Sequence, residues 1–247
     1  MNVKQYLDST YLKTASQAGL SEEENRIVVE NSVEEAIQEG FKLIMIRPEY
    51  VSMAKEMIAK ASSALLVGTV IDFPKGDSAL EIKIKEATEA IENGADDLDF
   101  VCNYEAFKNG DSELVKQEVL IGTQIGLANN KTVKWIIETA ALTDKEIIQL
   151  SALIKNVVVS HFEEDDYGSV FVKSSTGFYN TENNLPNGAT FPVIIMMLEN
   201  ASPLPVKAAG GVRSYEDAAE MIRLGVKRIG TSAAKAIADG EISSNQY

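Results

Sequence analysis

Short apolar runs alternate along the chain with amphipathic stretches of helical period. The runs Phe41–Ile46, Leu65–Phe73, Asp97–Cys102, Val133–Thr139, Ser169–Ser174, Pro205–Ala209 and Arg228–Gly230 read as strands, and a weaker strand is expected around Tyr6–Asp8. Several are apolar at successive positions, which suits strands covered on both faces of a parallel sheet. The stretches between them carry helix signals. Ser21-Glu22-Glu23-Glu24 and Thr143-Asp144-Lys145-Glu146 are capping boxes, and Ser214-Tyr215-Glu216-Asp217 is a looser one. In each box the hydroxyl and the acid three residues on satisfy free backbone N–H groups. Gly40 closes the first of these helices. Leu80, Ile84, Ala87 and Ile91 share one helical face, ended by Gly94, and Ser112–Thr123 predicts a further helix. The least regular stretch is Ser160–Gly168, with Glu163-Glu164-Asp165-Asp166. It reads as a solvated acidic loop, with a carboxylate metal site as the minor alternative.

Strand–helix alternation of this kind builds parallel βαβ units. About eight such units in about 250 residues is the arithmetic of a (β/α)₈ barrel. A doubly wound open sheet is the rival, but no GxGxxG follows its first strand. No low-complexity linker divides the chain. One α/β domain is expected over residues 1–247, a single (β/α)₈ TIM barrel, with a tail over 240–247 free to move.

Composition narrows the chemistry. The 247 residues are 45% hydrophobic and 24% charged, ordinary values for a globular protein. A single cysteine, Cys102, excludes an intrachain disulfide and fits a reducing, cytoplasmic setting. With one histidine as well, His161, zinc fingers and HExxH sites lose their support, and so do nucleophilic triads unless His161 serves. The net charge of −14 opposes nucleic-acid backbones. An anionic substrate must therefore be held locally, by backbone N–H groups and a few buried cations. No run reaches the roughly 18 apolar residues of a membrane span. Met1–Gln5 lacks the basic and apolar regions of a signal peptide. The expected partners are small molecules, with neither nucleic acid nor membrane. A homodimer or higher homo-oligomer stays open.

In a barrel, function sits at the C-terminal ends of the strands. Phe171-Val172-Lys173-Ser174-Ser175-Thr176-Gly177 puts a lysine inside a strand, just before a small-polar turn. Lysine is rarely buried unless paired. An edge lysine is the competing reading, but Val170 and Val172 make the other face apolar, and Phe171 interrupts Lys173's own face. Pro205-Val206-Lys207-Ala208-Ala209-Gly210-Gly211 repeats the design. If both lysines point into one barrel they meet at its mouth. The more desolvated of the two then loses its proton near neutral pH and can attack a carbonyl. Asp99 lies deeper in its strand than Asp96 and Asp97, which read as a solvated strand start, so Asp99 is the candidate for proton transfer. Gly210-Gly211 and Gly230-Thr231-Ser232 follow the last two strands, where barrels often hold phosphate. Trp135, Met196 and Met197 read as packing, His161 as surface, and Cys102 as a residue that could line the barrel.

These residues together resemble deoxyribose-phosphate aldolases along most of the chain, roughly Leu7 to Ile237. Leu7–Lys13 resembles the family's opening Asp-x-Thr-x-Leu segment, and Gly68–Gly76 its Thr-Val-x-x-Phe-Pro-x-Gly motif. Gly94–Asp99, Lys134–Thr139, Val172–Phe178, Gly188–Thr190, Val206–Arg213 and Gly230–Ser232 match further motifs in order. The resemblance implies a barrel that works as a class I aldolase without metal or other cofactor. It implies reversible cleavage of 2-deoxy-D-ribose 5-phosphate to acetaldehyde and D-glyceraldehyde 3-phosphate. Lys173 would form the Schiff base. Lys207 would hold down its proton affinity, and Asp99 would relay protons with Lys207 through water. Thr176, Gly177, Gly210, Gly211 and Ser232 would hold the phosphate, with Asp8 and Thr10 near the substrate. Tyr247 would serve in proton transfer from the tail, or be incidental to it.

Three positions depart from the pattern. Met45 stands where many relatives have a cysteine, which removes a reactive thiol. Ala233 replaces a second serine of some relatives. The stretch Asn156–Gly168 lacks the family's Gly-Ala-Asp approach to the lysine strand. The rivals are a Schiff-base aldolase for another phosphorylated substrate, an inactive barrel that binds sugar phosphates, and, more distantly, a phosphosugar isomerase.

Overall fold

The apolar runs all become strands, and each strand is followed by a helix that covers its outward side. The computed structural model describes residues 2–181 and 187–240. Its strands are β1 (Leu7–Thr10), β2 (Leu43–Ile46), β3 (Leu66–Ile71), β4 (Asp97–Val101), β5 (Thr132–Ile136), β6 (Val170–Lys173), β7 (Val206–Ala209) and β8 (Arg228–Thr231). They pair in parallel and in chain order, and β8 pairs with β1 to close the barrel. The fold is a single-domain (β/α)₈ TIM barrel.

The helices are α1 (Ala15–Ala18), α2 (Glu22–Glu39), α3 (Val51–Lys60), α4 (Leu80–Glu92), α5 (Tyr104–Lys108), α6 (Ser112–Ala128), α7 (Asp144–His161), α8 (Phe191–Ala201), α9 (Tyr215–Leu224) and α10 (Ala234–Asp239). The boxes at Ser21 and Thr143 form as expected, Ser214 caps α9, and Gly40 closes α2 in the left-handed conformation. A further box, Thr14 with Gln17, opens α1. Two expectations are corrected. The stretch from Ser160 is not irregular throughout, because α7 continues to His161. The acidic loop then shortens to a 3₁₀ turn over Glu164–Ser169.

Period-2 alternation sorts the side chains into two layers. Outward residues such as Ile44, Leu98, Trp135, Val172 and Ile229 pack against the helices in one large cluster. Trp135 stacks on Phe100 with ring centroids 4.8 Å apart, and its indole N–H reaches Thr123 at 3.0 Å. Cys102 belongs to this outer layer and does not line the barrel. Inside the barrel, β2 and β3 supply an apolar wedge of Leu43, Met45 and Val70, joined by Leu12. The other strands fill the interior with charge. No helix among the described residues is long and apolar enough to cross a membrane.

Candidate active site

Parallel register decides which inward side chains meet. Lys173 lies beside Lys207 across the β6–β7 pair, and Lys207 beside Arg228 across β7–β8. Asp99 lies beside Lys134 across β4–β5. Five strands therefore bring four cations and a carboxylate toward one axis. Asp97 is on the same face of β4 as Asp99, two residues away, and Asp8 enters from β1.

The contacts are direct. Asp99 Oδ2 accepts from both Lys173 Nζ and Lys207 Nζ, each at 2.9 Å. Asp99 Oδ1 accepts from Lys134 Nζ at 2.7 Å. Lys134 also donates to Asp97 Oδ2 at 2.7 Å, and Arg228 Nη2 reaches the same oxygen at 3.1 Å. Arg228 Nε donates to Asp8 Oδ1 at 2.7 Å, while Lys207 Nζ lies 2.6 Å from Asp8 Oδ2. All seven residues are buried, Lys173 at 3% and Arg228 at 6% exposure.

Charge states follow from this crowding. Burial pushes the Lys173 amine down to about 8; Asp99 resists, and the neighbouring Lys207 and Lys134 ammonium groups add to the fall. Burial alone would raise the Asp99 carboxyl, but Lys134, Lys173 and Lys207 together hold it well below the usual range. Asp8 is lowered too, its burial outweighed by Arg228 and the lysines. Lys134 goes the other way from Lys173: burial opposes its charge, yet the Asp97 and Asp99 carboxylates raise its proton affinity. Among these amines Lys134 and Lys173 differ because one faces two carboxylates and the other shares one.

The turn after Lys173 is held from β5. Glu138, just past that strand, takes a left-handed backbone conformation with φ of 52°. Its carboxylate accepts from Ser175 Oγ at 2.8 Å, from the Thr176 N–H at 3.2 Å and from the Thr176 hydroxyl. Burial raises the Glu138 carboxyl against those hydrogen bonds. Ser174 Oγ donates to the Ala209 carbonyl at 2.7 Å and ties the ends of β6 and β7 together.

The mouth glycines divide into two kinds. Gly210 has φ of +88°, and a Cβ there would come within 2.1 Å of the Asn187 carbonyl oxygen. Its close approach is to the 187–188 backbone of this chain. Gly211 and Gly177 also have positive φ, but a Cβ on either would meet nothing within 4 Å. Gly177 N–H donates to Ser175 Oγ at 2.9 Å. Ser232 is exposed just past β8, and the Thr10 hydroxyl donates to the Asp8 carbonyl at 2.9 Å. On the apolar side, Phe73 meets Phe178 edge-on at 5.0 Å, and Arg47 lies over the Phe73 ring at 5.0 Å.

The structure thus brings Lys173, Lys207, Asp99 and Asp8 into one cluster. Thr176, Gly177, Gly210, Gly211, Thr10 and Ser232 lie at the C-terminal ends of their strands or just past them. Tyr247 lies outside the described residues. The solvated reading of Asp97 is corrected: it is 1% exposed and ion-paired, whereas Asp96 does face outward, to Lys55 at 2.9 Å. Sequence reasoning gave no role to Lys134, Arg228 or Glu138. Lys134 carried the same signal as the other two lysines, a charge within an apolar strand. His161 is exposed, its ring bonded to the Val157 carbonyl. Among the described residues no three His, Cys, Asp or Glu side chains are grouped to hold a metal ion.

A family model described as DeoC/LacD family aldolase matches residues 6–240. The chain is 40% identical to a deoxyribose-phosphate aldolase of Staphylococcus saprophyticus, over 100% of both chains. It is 37% identical to one of Thermococcus gammatolerans, covering 97% of this chain and 96% of that protein. A solved structure described as a tetrameric deoxyribose phosphate aldolase of Aeropyrum pernix superposes with a TM-score of 0.76 at 28% identity, covering 96% of this chain and 89% of that one.

Proposed function

Because the chain belongs to the DeoC/LacD family of aldolases, we propose that it reversibly cleaves 2-deoxy-D-ribose 5-phosphate to acetaldehyde and D-glyceraldehyde 3-phosphate through an imine on Lys173. The observation that carries this reading is the Lys173 amine itself. It is buried, lowered to about 8, and shares its one carboxylate oxygen with Lys207. At pH 7 about a tenth of such an amine is neutral and nucleophilic.

The chemistry runs as follows. Neutral Lys173 attacks the C1 aldehyde and gives a carbinolamine, which loses water to a protonated imine. The cationic nitrogen is an electron sink. As the C3 hydroxyl gives up its proton, the C2–C3 bond breaks and its electron pair moves to C2, forming a neutral enamine. C3 becomes the aldehyde of glyceraldehyde 3-phosphate. The enamine takes a proton at C2, and water hydrolyses the imine to release acetaldehyde and Lys173. Asp99 and Lys207 relay the protons through water, since they share the contact nearest Lys173. Thr176, Gly177, Gly210, Gly211 and Ser232 hold the phosphate at the mouth, with the Thr176 donors and the Gly177 N–H turning to it from Glu138 and Ser175. Gly177 and Gly211 have open space beside them, which supports their part most directly. Asp8 and Thr10 border the substrate from β1, and Tyr247 supplies a further proton-transfer group.

The same reading places the enzyme in deoxyribose phosphate catabolism, in the cytoplasm, as a homo-oligomer. A net charge of −14 and a lone buried cysteine support a cytoplasmic enzyme of small molecules. The test is acetaldehyde release from 2-deoxyribose 5-phosphate, with chelator present, by the native chain and by Lys173→Ala. Release by the native chain alone is expected. Equal release by both would remove Lys173 from the mechanism, and release by neither would remove this substrate.

A further inference from the structure

The contacts around Asp99 close on themselves. Asp99 touches Lys134, Lys134 touches Asp97, Asp97 touches Arg228, Arg228 touches Asp8, Asp8 touches Lys207, and Lys207 returns to Asp99. Every step is between 2.6 and 3.1 Å. Around this loop the signs alternate, with the carboxylates of Asp8, Asp97 and Asp99 against the cations of Lys134, Lys207 and Arg228. The loop is neutral. Lys173 is joined to it only through Asp99 Oδ2.

We infer that this closed loop makes Lys173 the surplus cation of the barrel, with Arg228 and Asp97 as positioning residues that govern its reactivity without touching it. The inference rests on the reading of Lys173 as the imine-forming amine. Both oxygens of Asp99 are occupied by the loop, so Asp99 cannot turn to serve Lys173 alone. An alternating loop is also the arrangement in which buried charges best compensate one another. The one charge without a partner of its own is the proton on Lys173, so that proton leaves first.

Lys173 faces Asp97 and Asp99 from β4, Lys134 and Glu138 from β5 and its end, Lys207 from β7, Arg228 from β8 and Asp8 from β1. The apolar wedge of β2 and β3 adds no charge. Changing the balance at Arg228 and at Asp97 must therefore act in opposite directions. Arg228→Gln leaves three ammonium groups against three carboxylates, so Lys173 keeps its proton to higher pH. Asp97→Asn leaves four cations against two carboxylates, so Lys173 gives its proton up at lower pH. The double variant restores an excess of one cation.

The experiment traps the imine of acetaldehyde with cyanoborohydride across pH 6 to 10 and reads ethylated Lys173 by peptide mass. For the native chain the midpoint is expected at about 8. Arg228→Gln should raise it by about one unit, a roughly tenfold change in neutral amine at a given pH. Asp97→Asn should lower it by about as much. The double variant and Arg228→Lys should both return to the native midpoint. If Arg228→Gln does not fold, the comparison of Asp97→Asn with the double variant carries the same test. Slower trapping with unmoved midpoints, or shifts of one sign in both single variants, would overturn the inference and leave the Schiff-base reading standing. An unmodified Lys173 in the native chain would overturn both.

Discussion

The chain buries a lysine beside carboxylates in two separate places, and only one of them is built for chemistry. Lys83 of α4 is 1% exposed, in the layer between helices and barrel. It donates to the Gly76 carbonyl at 2.9 Å and the Val101 carbonyl at 3.0 Å, and pairs with Glu118 at 2.8 Å and Asp72 at 3.4 Å. One ammonium group there has more acceptors than N–H groups. At Lys173 the ratio is inverted, with three ammonium groups on one carboxylate. Burial of a lysine is therefore not the signature of a reactive amine. The supply of acceptors is, because it decides whether desolvation is repaid or left standing. An oversupplied lysine is a clamp. Lys83 ties the connection after β3 to the end of β4 and to α6. Gly76 sits so close that a Cβ on it would meet the Cys102 carbonyl at 2.4 Å. The same connection carries Phe73 to the barrel mouth.

The sharpest way to break this contrast is to delete each amine at nearly constant shape. Lys83→Met leaves Glu118, Asp72 and two carbonyls without their cation. A loss of about 3–5 kcal/mol in urea-unfolding stability is expected. Lys173→Met should do the reverse. The folded-state value of about 8 lies below the ordinary 10.5, so below pH 8 the native state carries that proton at a cost. Removing the amine should stabilise the protein at pH 7 by about 1–3 kcal/mol while abolishing aldol cleavage. The gain should shrink as pH rises from about 8 toward 10.5, where the native and unfolded chains both lose the proton. Equal destabilisation by the two variants, at any pH between 6 and 8, would erase the distinction.

How much of this was legible depends on how local each feature is. Strands β2 to β8 announced themselves as apolar runs, since outward packing alone makes them continuous. Strand β1 was expected one to two residues early, at Tyr6–Asp8 against the observed Leu7–Thr10, because its inward Asp8 and Thr10 are polar and hide the run. The box at Thr14 was passed over because α1 has four residues and no apolar period. Lys173, Lys207 and Asp99 stood out as charges within apolar strands. Lys134 fits that description equally well and was passed over, whereas Lys83 is a charge on the apolar face of a helix. Lys83 was obscured because Leu80, Ile84 and Ala87 already accounted for its helix face. Asp97 was misread although its alternation with Asp99 was in plain view. Arg228 was beyond local reading altogether: its partner Asp8 is 220 positions away, and only the closing of the barrel joins them. Patterns reveal which residues are unusual, and register reveals which of them meet.

The smallest effect tests whether the two clusters are independent. Ser78 Oγ donates to Asp72 Oδ1 at 2.7 Å, and the Ser78 N–H donates to Asp72 Oδ2 at 2.9 Å. Ser78→Ala removes the first bond and keeps the second. At this half-buried position the loss should be about 1 kcal/mol. The Lys83 clamp then loosens without being broken, and the turn bearing Phe73 gains freedom. Phe73 contacts Phe178, five residues past Lys173, so substrate fit at the mouth should suffer before chemistry does. The expected result is a raised KM for 2-deoxyribose 5-phosphate with kcat nearly kept, and a Lys173 trapping midpoint that stays at about 8. A moved midpoint would mean that charge in the outer cluster reaches the barrel axis. The two lysines would then belong to one electrostatic system, and the acceptor count at Lys173 alone would no longer explain its reactivity.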